Sequence, residues 1–388
     1  MAPVIMPQIF YMRSFRVRWI MKQFIKRFVI ILSLIVLPLL FAITTQNRVD
    51  HNTLRIEGFY QEEKNSIDVV LIGASEVFTG YSPALAYEQF GYTSYSYALD
   101  SNYTGLFISQ LKEVLSHQKP KCILIETSGY SNPVDEDEKA VSLATTRKWI
   151  DGIPFSINKI NSIEQLVDSD KLSYYFPFIL YHGLPSNLED AGIRFAQFFR
   201  GYTVLKGIVT TNQKAPCESL IDVSNDTSLG TMTETDTQIF LELLDYCKTL
   251  DCEVVFIRFP HRIANDTKYE QFKIQNTIAD LVRQNGFEFI NLDQKLEDIG
   301  LSPNQDFYGD SHLNANGQIK LTAYLGTLLQ QEHGITASEL SASNKEKWDK
   351  SAAYTELFYQ YYSLHENDEQ VYWWSEDPDL LKALDELR

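Results

Sequence analysis

The sequence predicts an α/β protein in which helices cover both faces of a parallel β-sheet. Short apolar runs alternate with amphipathic runs over much of the 388-residue chain, and the apolar runs are continuous, as expected for strands buried on both faces. The length accommodates one large domain with appendages. The predicted strands are Ile67–Ile72, Thr93–Ala98, Cys122–Glu126, Val254–Phe259 and Phe287–Asn291. The predicted helices are Ala84–Phe90, Tyr103–His117, Gln238–Leu250 and Tyr269–Arg283.

The N-terminal region predicts a single transmembrane helix. Residues 28–45 carry no charge and are rich in Ile, Leu and Val, which gives a stretch at the short end of what a spanning helix needs. Residues 1–27 contain six basic and no acidic residues, so the positive-inside rule places this segment in the cytoplasm and the rest of the chain outside. A cleaved signal peptide is the alternative, but the run is longer than a typical signal-peptide core. Met21 is an alternative start of the protein.

Residues 46–335 are expected to form the extracytoplasmic domain, with an insertion at about 130–235. The insertion shows no clear period and is too long for a structureless loop, so we interpret it as a helical segment that could cover the active edge of the sheet. Residues 336–388 form an acidic, aromatic C-terminal extension. Its aromatic residues at helical spacing favour packing on the domain, and a platform for glycans or protein partners is the alternative. These residues are Tyr354, Phe358, Tyr361 and Tyr362.

Charge and cysteine usage argue against several classes of function. The formal net charge is −17, so the chain lacks the excess of basic residues that binding to a nucleic-acid backbone requires. The four cysteines show no Cys-x-x-Cys spacing, and the sequence has no paired histidines, which argues against a zinc site. The sequence contains neither a phosphate loop nor a dinucleotide fingerprint. We therefore expect neither a metal nor a cofactor.

A serine early in the predicted domain and a histidine near its end suggest acyl transfer. Ser75 follows the first predicted strand in Gly73-Ala74-Ser75-Glu76, where a turn of small residues can hold a hydroxyl at the end of a buried strand. The hydroxyl becomes a nucleophile only beside a base, and His312 is the candidate base. Each residue also has an ordinary alternative role, because Ser75 could cap a helix and His312, with Asp310, could cap the last helix. His261 is a lesser alternative base.

Glutamates also occur at or near the same edge of the predicted sheet. Glu76 and Glu126 lie there, but neither is paired with a second carboxylate at a meaningful spacing. A glycosidase, which needs two such carboxylates, is therefore disfavoured.

These segments resemble the SGNH (GDSL-type) hydrolase superfamily. Within the superfamily they resemble the membrane-anchored bacterial branch, which is similar to cell-surface polysaccharide O-acetyltransferases and teichoic acid D-alanylation proteins. The resemblance begins with Gly-x-Ser at Gly73–Ser75 and continues to Ser82-Pro83. The α/β-hydrolase family is disfavoured, because Val77 stands where its Gly-x-Ser-x-Gly motif has the second glycine. The resemblance covers roughly residues 66–330. The other matching segments are Phe90–Ala98, Lys119–Glu126, Phe176–His182 and Asp306–Gly317.

The resemblance implies a flavodoxin-like three-layer sandwich and a catalytic arrangement of Ser75, His312 and Asp310. The superfamily usually has its aspartate three residues before the histidine, and that position is Gly309 in this chain. The Asp-x-His spacing of Asp310 is similar to that of alginate O-acetyltransferase relatives. Asp306 is the fallback residue to orient the imidazole.

Two further side chains are candidates for contact with substrate. The resemblance places Asn102, together with the backbone N–H of Ser75, among the oxyanion donors, and an Asx turn is the alternative role of Asn102. His182 follows an aromatic run in the insertion and could contact substrate, and a structural role is the alternative.

The resemblance implies a membrane-anchored serine esterase or O-acyltransferase that acts on acyl esters of cell-envelope glycans, with acetyl as the expected group. The implied partners are a cell-surface polysaccharide or teichoic acid-like polymer and a multispanning membrane acyltransferase. The alternative, from another functional class, is a catalytically inactive scaffold of the same fold that binds polymer or partners of the envelope assembly machinery.

Overall fold

The computed structural model describes residues 7–44, 50–131, 138–183, 204–364, 372–373 and 382. The chain divides into two units. The smaller unit comprises Met1–Asn47 and Phe176–Phe199, and the larger unit comprises Arg48–Tyr175 and Arg200–Arg388.

The larger unit is built on a five-stranded parallel sheet, which confirms the predicted α/β class. The strands of the sheet are β1 (Val69–Gly73), β2 (Ser94–Ala98), β3 (Cys122–Glu126), β5 (Glu253–Arg258) and β6 (Glu288–Asn291). Each of the five overlaps a strand predicted from the sequence. The strand order is β2-β1-β3-β5-β6, so β1 lies between β2 and β3, and Leu71 is aligned with Ser96 on one side and with Leu124 on the other.

The helices of the larger unit precede, follow and connect these strands. Before the insertion they are α2 (His51–Phe59), α3 (Ser75–Gly80), α4 (Pro83–Phe90) and α5 (Phe107–His117). Within the insertion they are α6 (Glu138–Gly152), α7 (Ile157–Leu166) and α8 (Lys171–Tyr175). After it they are α10 (Glu234–Cys247), α11 (Asp266–Gln284), α12 (Leu296–Ile299), α13 (Ala315–Gln331) and α14 (Ala342–Leu364).

Two hydrophobic clusters lie on opposite faces of the sheet. Successive side chains of a strand point to opposite faces, so Val70 and Ile72 belong to one cluster while Val69 and Leu71 belong to the other. Helices α2, α5, α10 and α11 contribute to the first cluster, and α3, α4 and α13 contribute to the second. Burial on both faces explains why the strands read as continuous apolar runs.

The insertion and the C-terminal extension add to this core. The described part of the insertion is largely helical up to Tyr181, as predicted, and residues 184–203 lie outside the described residues. In α14 the side chains of Trp348, Tyr354 and Phe358 are fully buried, which confirms packing on the domain for this part of the extension. The short strands β4 (Thr210–Thr211) and β7 (Tyr372–Trp373) form an antiparallel pair that the sequence did not predict.

The smaller unit contains a long N-terminal helix, α1 (Pro7–Thr44), and the short α9 (Phe178–Tyr181). Within α1, Arg18–Phe41 has a mean hydropathy of 2.4 and is exposed along its length, so it is long and apolar enough to cross a membrane. A signal sequence would satisfy the same two criteria.

Candidate active site

The carboxyl ends of all five parallel strands lead into one group of polar side chains. Ser75 and Glu76 follow β1, Glu126 ends β3, and His261 follows β5. Asp293 follows β6, and Asn102 lies in the segment after β2. This edge is where open parallel sheets bind ligands, because their connecting turns meet there.

Ser75 begins helix α3 directly after the turn that ends β1. Gly73 is required at this turn, because a Cβ atom there would lie 2.6 Å from Cβ of Glu126 and 2.6 Å from Cγ2 of Val77. The backbone N–H groups of a first helical turn have no partner within the helix. The turn therefore presents the Ser75 hydroxyl beside backbone donors at the strand edge.

His312 lies in a tight loop that closes before helix α13. The loop is held by a bridge between Phe307 and Leu313 and by a hydrogen bond of 3.1 Å from the Tyr308 N–H to the His312 carbonyl. The Tyr308 and His312 rings stack with a centroid separation of 5.3 Å. Asn314 caps α13 by accepting a hydrogen bond from the Gly317 N–H, so helix capping falls to Asn314 rather than to His312.

The structure brings Ser75 and His312 together across 237 residues of sequence. Nε2 of His312 lies 2.8 Å from Oγ of Ser75, and both side chains are partly buried. Burial lowers the pKa of His312 below its ordinary value, and the charge of Glu76 opposes this effect. The imidazole is therefore largely neutral at neutral pH, which is the state that can accept a proton from the hydroxyl.

Neither predicted aspartate contacts Nδ1 of His312. Asp310 forms an ion pair with Arg262, with 3.0 Å between Oδ1 and Nη2, while Nδ1 of His312 lies 3.3 Å from Oγ of Ser311. The expectation that Asp310 orients the imidazole does not match these contacts, because the guanidinium of Arg262 takes its carboxylate. Asp306, the fallback, accepts hydrogen bonds from the Ser302 N–H and from Lys320.

Asn102 has a different role from the predicted one. Its amide nitrogen donates to the Gly73 carbonyl at 2.9 Å and to the Gln110 side chain at 3.0 Å, which uses both of its N–H groups. Because the side chain is buried and both donors are occupied, Asn102 braces the end of β1 instead of facing an oxyanion. His182 belongs to the smaller unit, where its Nδ1 lies 2.9 Å from the Ile179 carbonyl, and its contact with substrate stays a prediction.

Glu76 links the Ser75 hydroxyl to a buried histidine. One carboxylate oxygen of Glu76 lies 3.4 Å from Oγ of Ser75, and the other lies 3.8 Å from Nε2 of His261. Burial alone would raise the pKa of Glu76, but the interaction with His261 and the charge of His312 lower it to about 2. Glu76 is therefore a carboxylate next to the candidate nucleophile at neutral pH.

His261 is held by a buried ion pair. Its Nδ1 lies 2.6 Å from the Phe259 carbonyl and 3.2 Å from Asp293, which pairs with Arg258 at 3.0 Å. Burial and the charge of Arg258 lower the pKa of His261, but Asp293 and Glu76 outweigh them and raise it above the ordinary value. Arg258 and His261 also hold the pKa of Asp293 low despite its burial.

Glu126, at the same edge of the sheet, has a raised pKa. Burial and the negative charge of Glu76 raise the pKa of Glu126 to about 7. Its carboxyl group accepts hydrogen bonds from the N–H and hydroxyl of Ser128. The site thus contains one carboxylate with a depressed pKa and one with a raised pKa, a separation that is typical of functional sites.

Glu76, Glu126 and His261 could be named from the sequence, but their contacts with one another could not. The roles of Arg258, Asp293 and the Arg262–Asp310 pair were not predicted. The available signal for Arg258, Arg262 and Asp293 was their position in or just after the predicted strands Val254–Phe259 and Phe287–Asn291, since the ends of parallel strands converge at one edge of the sheet. Among the described residues, no group of three or more His, Cys, Asp or Glu side chains could hold a metal ion.

No protein-family model matches this sequence, and no curated protein matches it.

Proposed function

We propose that the protein is a membrane-anchored serine esterase or O-acyltransferase of the SGNH type that acts on acyl esters of cell-envelope glycans. The observation that carries the proposal is the distance of 2.8 Å between Nε2 of His312 and Oγ of Ser75 at the carboxyl edge of the sheet. The resemblance of the Ser75 and His312 segments to that superfamily supports the glycan substrate, the acetyl group and a multispanning acyltransferase as partner.

In the proposed reaction, Oγ of Ser75 attacks the acyl carbonyl while Nε2 of His312 accepts the hydroxyl proton. The C–O bond to the leaving alcohol then breaks, and His312 returns the proton to that oxygen. Water or a glycan hydroxyl next attacks the acyl-serine, again giving its proton to His312. The bond between the acyl carbon and Oγ of Ser75 then breaks, His312 returns the proton to Oγ, and the free acid or the new glycan ester leaves. The Ser75 backbone N–H donates to the oxyanion formed in each step.

Glu76 takes the place of the aspartate in this proposal. The imidazolium that forms on His312 needs a nearby negative charge, and Glu76 is the strongest such charge acting on it. A carboxylate on the Ser75 side stabilises the imidazolium but does not hold the ring orientation. The stacked Tyr308 ring and the Ser311 hydroxyl hold that orientation.

Turnover of p-nitrophenyl acetate by the full-length protein in detergent tests the proposal. We expect Ser75→Ala and His312→Ala to abolish turnover, and mass spectrometry to find an acyl group on Ser75 of the unmodified protein. Ser96→Ala is the matched control, because Ser96 is a buried strand serine whose hydroxyl has no hydrogen-bond partner among the described residues. A soluble oligosaccharide acceptor that gains the acyl group would assign transfer rather than hydrolysis.

The same assay tests the scaffold alternative. A folded protein that releases no nitrophenol and carries no adduct would contradict the enzymatic proposal and favour polymer or partner binding.

A further inference from the structure

The smaller unit exposes a row of large apolar side chains next to its long helix. The exposed fractions of Phe176, Phe178, Ile179 and Leu180 are 49%, 44%, 40% and 50%. Three of these four belong to the single turn of α9. Adjacent exposed side chains of this size are unusual on a surface that faces only water, and they mark contact with a partner or a membrane.

The position of α9 along helix α1 is fixed by an aromatic contact. The Phe178 ring lies 6.1 Å from the Phe41 ring, with an angle of 58° between the ring planes. Phe41 is three residues before the end of α1 at Thr44, which corresponds to about 4.5 Å along the helix axis. The apolar side chains of α9 therefore lie at the level of the last turn of α1.

The exposed surface of α1 is itself apolar and continuous with this turn. Arg18–Phe41 has none of its length buried in the protein, and the charge-free part of the helix extends to its C-terminal end. If α1 spans a bilayer, its last turn lies where acyl chains meet headgroups, because some 18 to 20 residues cross the hydrocarbon core. Amphipathic segments at this depth insert their apolar side chains by roughly 5–10 Å.

We propose that Phe176–Tyr181 is an interfacial segment that inserts Phe178, Ile179 and Leu180 into the lipid at the Thr44 end of α1. The occupant of this surface is the acyl–headgroup boundary of the bilayer that α1 spans. The segment gives the chain a second membrane contact separated from α1 by more than 130 residues of sequence. The proposal depends on the membrane span of α1 and not on the chemistry of Ser75.

Photolabelling from within the bilayer tests this contact. The full-length protein is reconstituted into phosphatidylcholine vesicles that contain a phosphatidylcholine with a diazirine in its acyl chain, and adducts are mapped by mass spectrometry. We expect adducts on both α1 and residues 176–181. The control position is Leu229, which is 58% exposed in a loop of the larger unit and should carry none.

A triple variant, Phe178→Ser with Ile179→Ser and Leu180→Ser, should lose the adducts at this segment and keep those on α1. Adducts confined to α1 in the unmodified protein would overturn the proposal, and this is the result expected if a second copy of the chain rather than lipid covers residues 176–181.

A conservative variant covers the case in which the triple variant does not fold. Leu180→Trp should show additional fluorescence that brominated phosphatidylcholine quenches, whereas Leu229→Trp should not. Equal quenching of the two added tryptophans would contradict lipid insertion. Because neither readout involves ester turnover, failure here is distinguishable from failure of the proposed enzymatic function.

Discussion

His312 and His261 both interact with the charge of Glu76, and they differ in burial, in hydrogen bonding and in pKa. His312 is partly exposed, contacts a serine hydroxyl and has a lowered pKa. His261 is 2% exposed, lies between Glu76 and Asp293 and has a raised pKa. A neutral, accessible imidazole is suited to moving protons, whereas a buried imidazolium between two carboxylates acts as a fixed positive charge. Under the proposed function, the comparison favours His312 as the catalytic base and His261 as a structural residue.

Replacing each histidine by alanine should give opposite phenotypes, and this is the largest expected effect. His312→Ala should lower kcat for ester turnover by about 10³-fold or more, since general acid–base catalysis contributes roughly 10²–10⁴-fold. The melting temperature should change little, because the ring is at the edge of the core. His261→Ala should reduce stability by about 3–5 kcal/mol, since it leaves the partly buried Glu76 without its cationic partner and the buried Asp293 with Arg258 alone.

The two measurements are kcat with p-nitrophenyl acetate and the thermal unfolding temperature of each variant in the same detergent. The assignment would be reversed if His261→Ala lost turnover at an unchanged melting temperature while His312→Ala retained it.

Glu76→Gln should have the next largest effect, and it acts on both histidines. Removing the negative charge lowers the pKa of His312 further, so the acidic limb of the rate profile should move to lower pH. The maximal rate should fall by about tenfold, equivalent to roughly 1.4 kcal/mol of lost transition-state stabilisation. The pH dependence of kcat/KM measures both changes.

Glu242→Gln is the control for this variant, because it removes one exposed carboxylate from α10. An acidic limb that stays in place or moves to higher pH in Glu76→Gln would show that Glu76 does not act on His312.

Gly309→Asp should produce a smaller change in the opposite direction. A Cβ at position 309 would lie 3.6 Å from Nδ1 of His312, and apart from the two neighbouring residues no other atom of the described residues would lie within 4 Å, so a carboxylate there can reach the ring. It should raise the pKa of His312, move the acidic limb to higher pH and increase kcat severalfold, on the order of 1 kcal/mol. Gly309→Asn is the isosteric control, and equal kcat and pH profiles for the two variants would exclude a charge effect.

The strands of the sheet could be predicted from the sequence, because burial on both faces requires a run of apolar residues that is visible locally. The runs Ile67–Ile72 and Cys122–Glu126 are continuous and apolar, and both appear as strands at nearly the predicted positions. The pair of β4 and β7 was missed because each strand has only two residues, too few to show a period. Residues 184–203 of the predicted insertion lie outside the described residues.

The site was predictable only in part, since side-chain partners depend on contacts between distant segments. Ser75 and His312 could be named from their local motifs, and the structure places them in contact. The partner of Asp310 could not be named, because Arg262 is 48 residues away and belongs to a loop after another strand. Spacing along the sequence shows which residues share a turn, but it does not show which cation from a distant segment pairs with a carboxylate.

Asp310→Asn is expected to have the smallest effect, and it tests directly whether Asp310 pairs with Arg262 or orients His312. In a Ser-His-Asp arrangement this change would lower kcat by about 10⁴-fold, because the imidazole would lose its orienting carboxylate. Here Asp310 pairs with Arg262, which also donates to the carbonyls of Ala215 and Pro303, so kcat should fall by less than about threefold. A loss of kcat near 10⁴-fold would instead mean that Asp310 leaves Arg262 and binds Nδ1 of His312 when substrate binds. The different behaviour of His312 and His261 would then arise from that rearrangement rather than from the charge of Glu76.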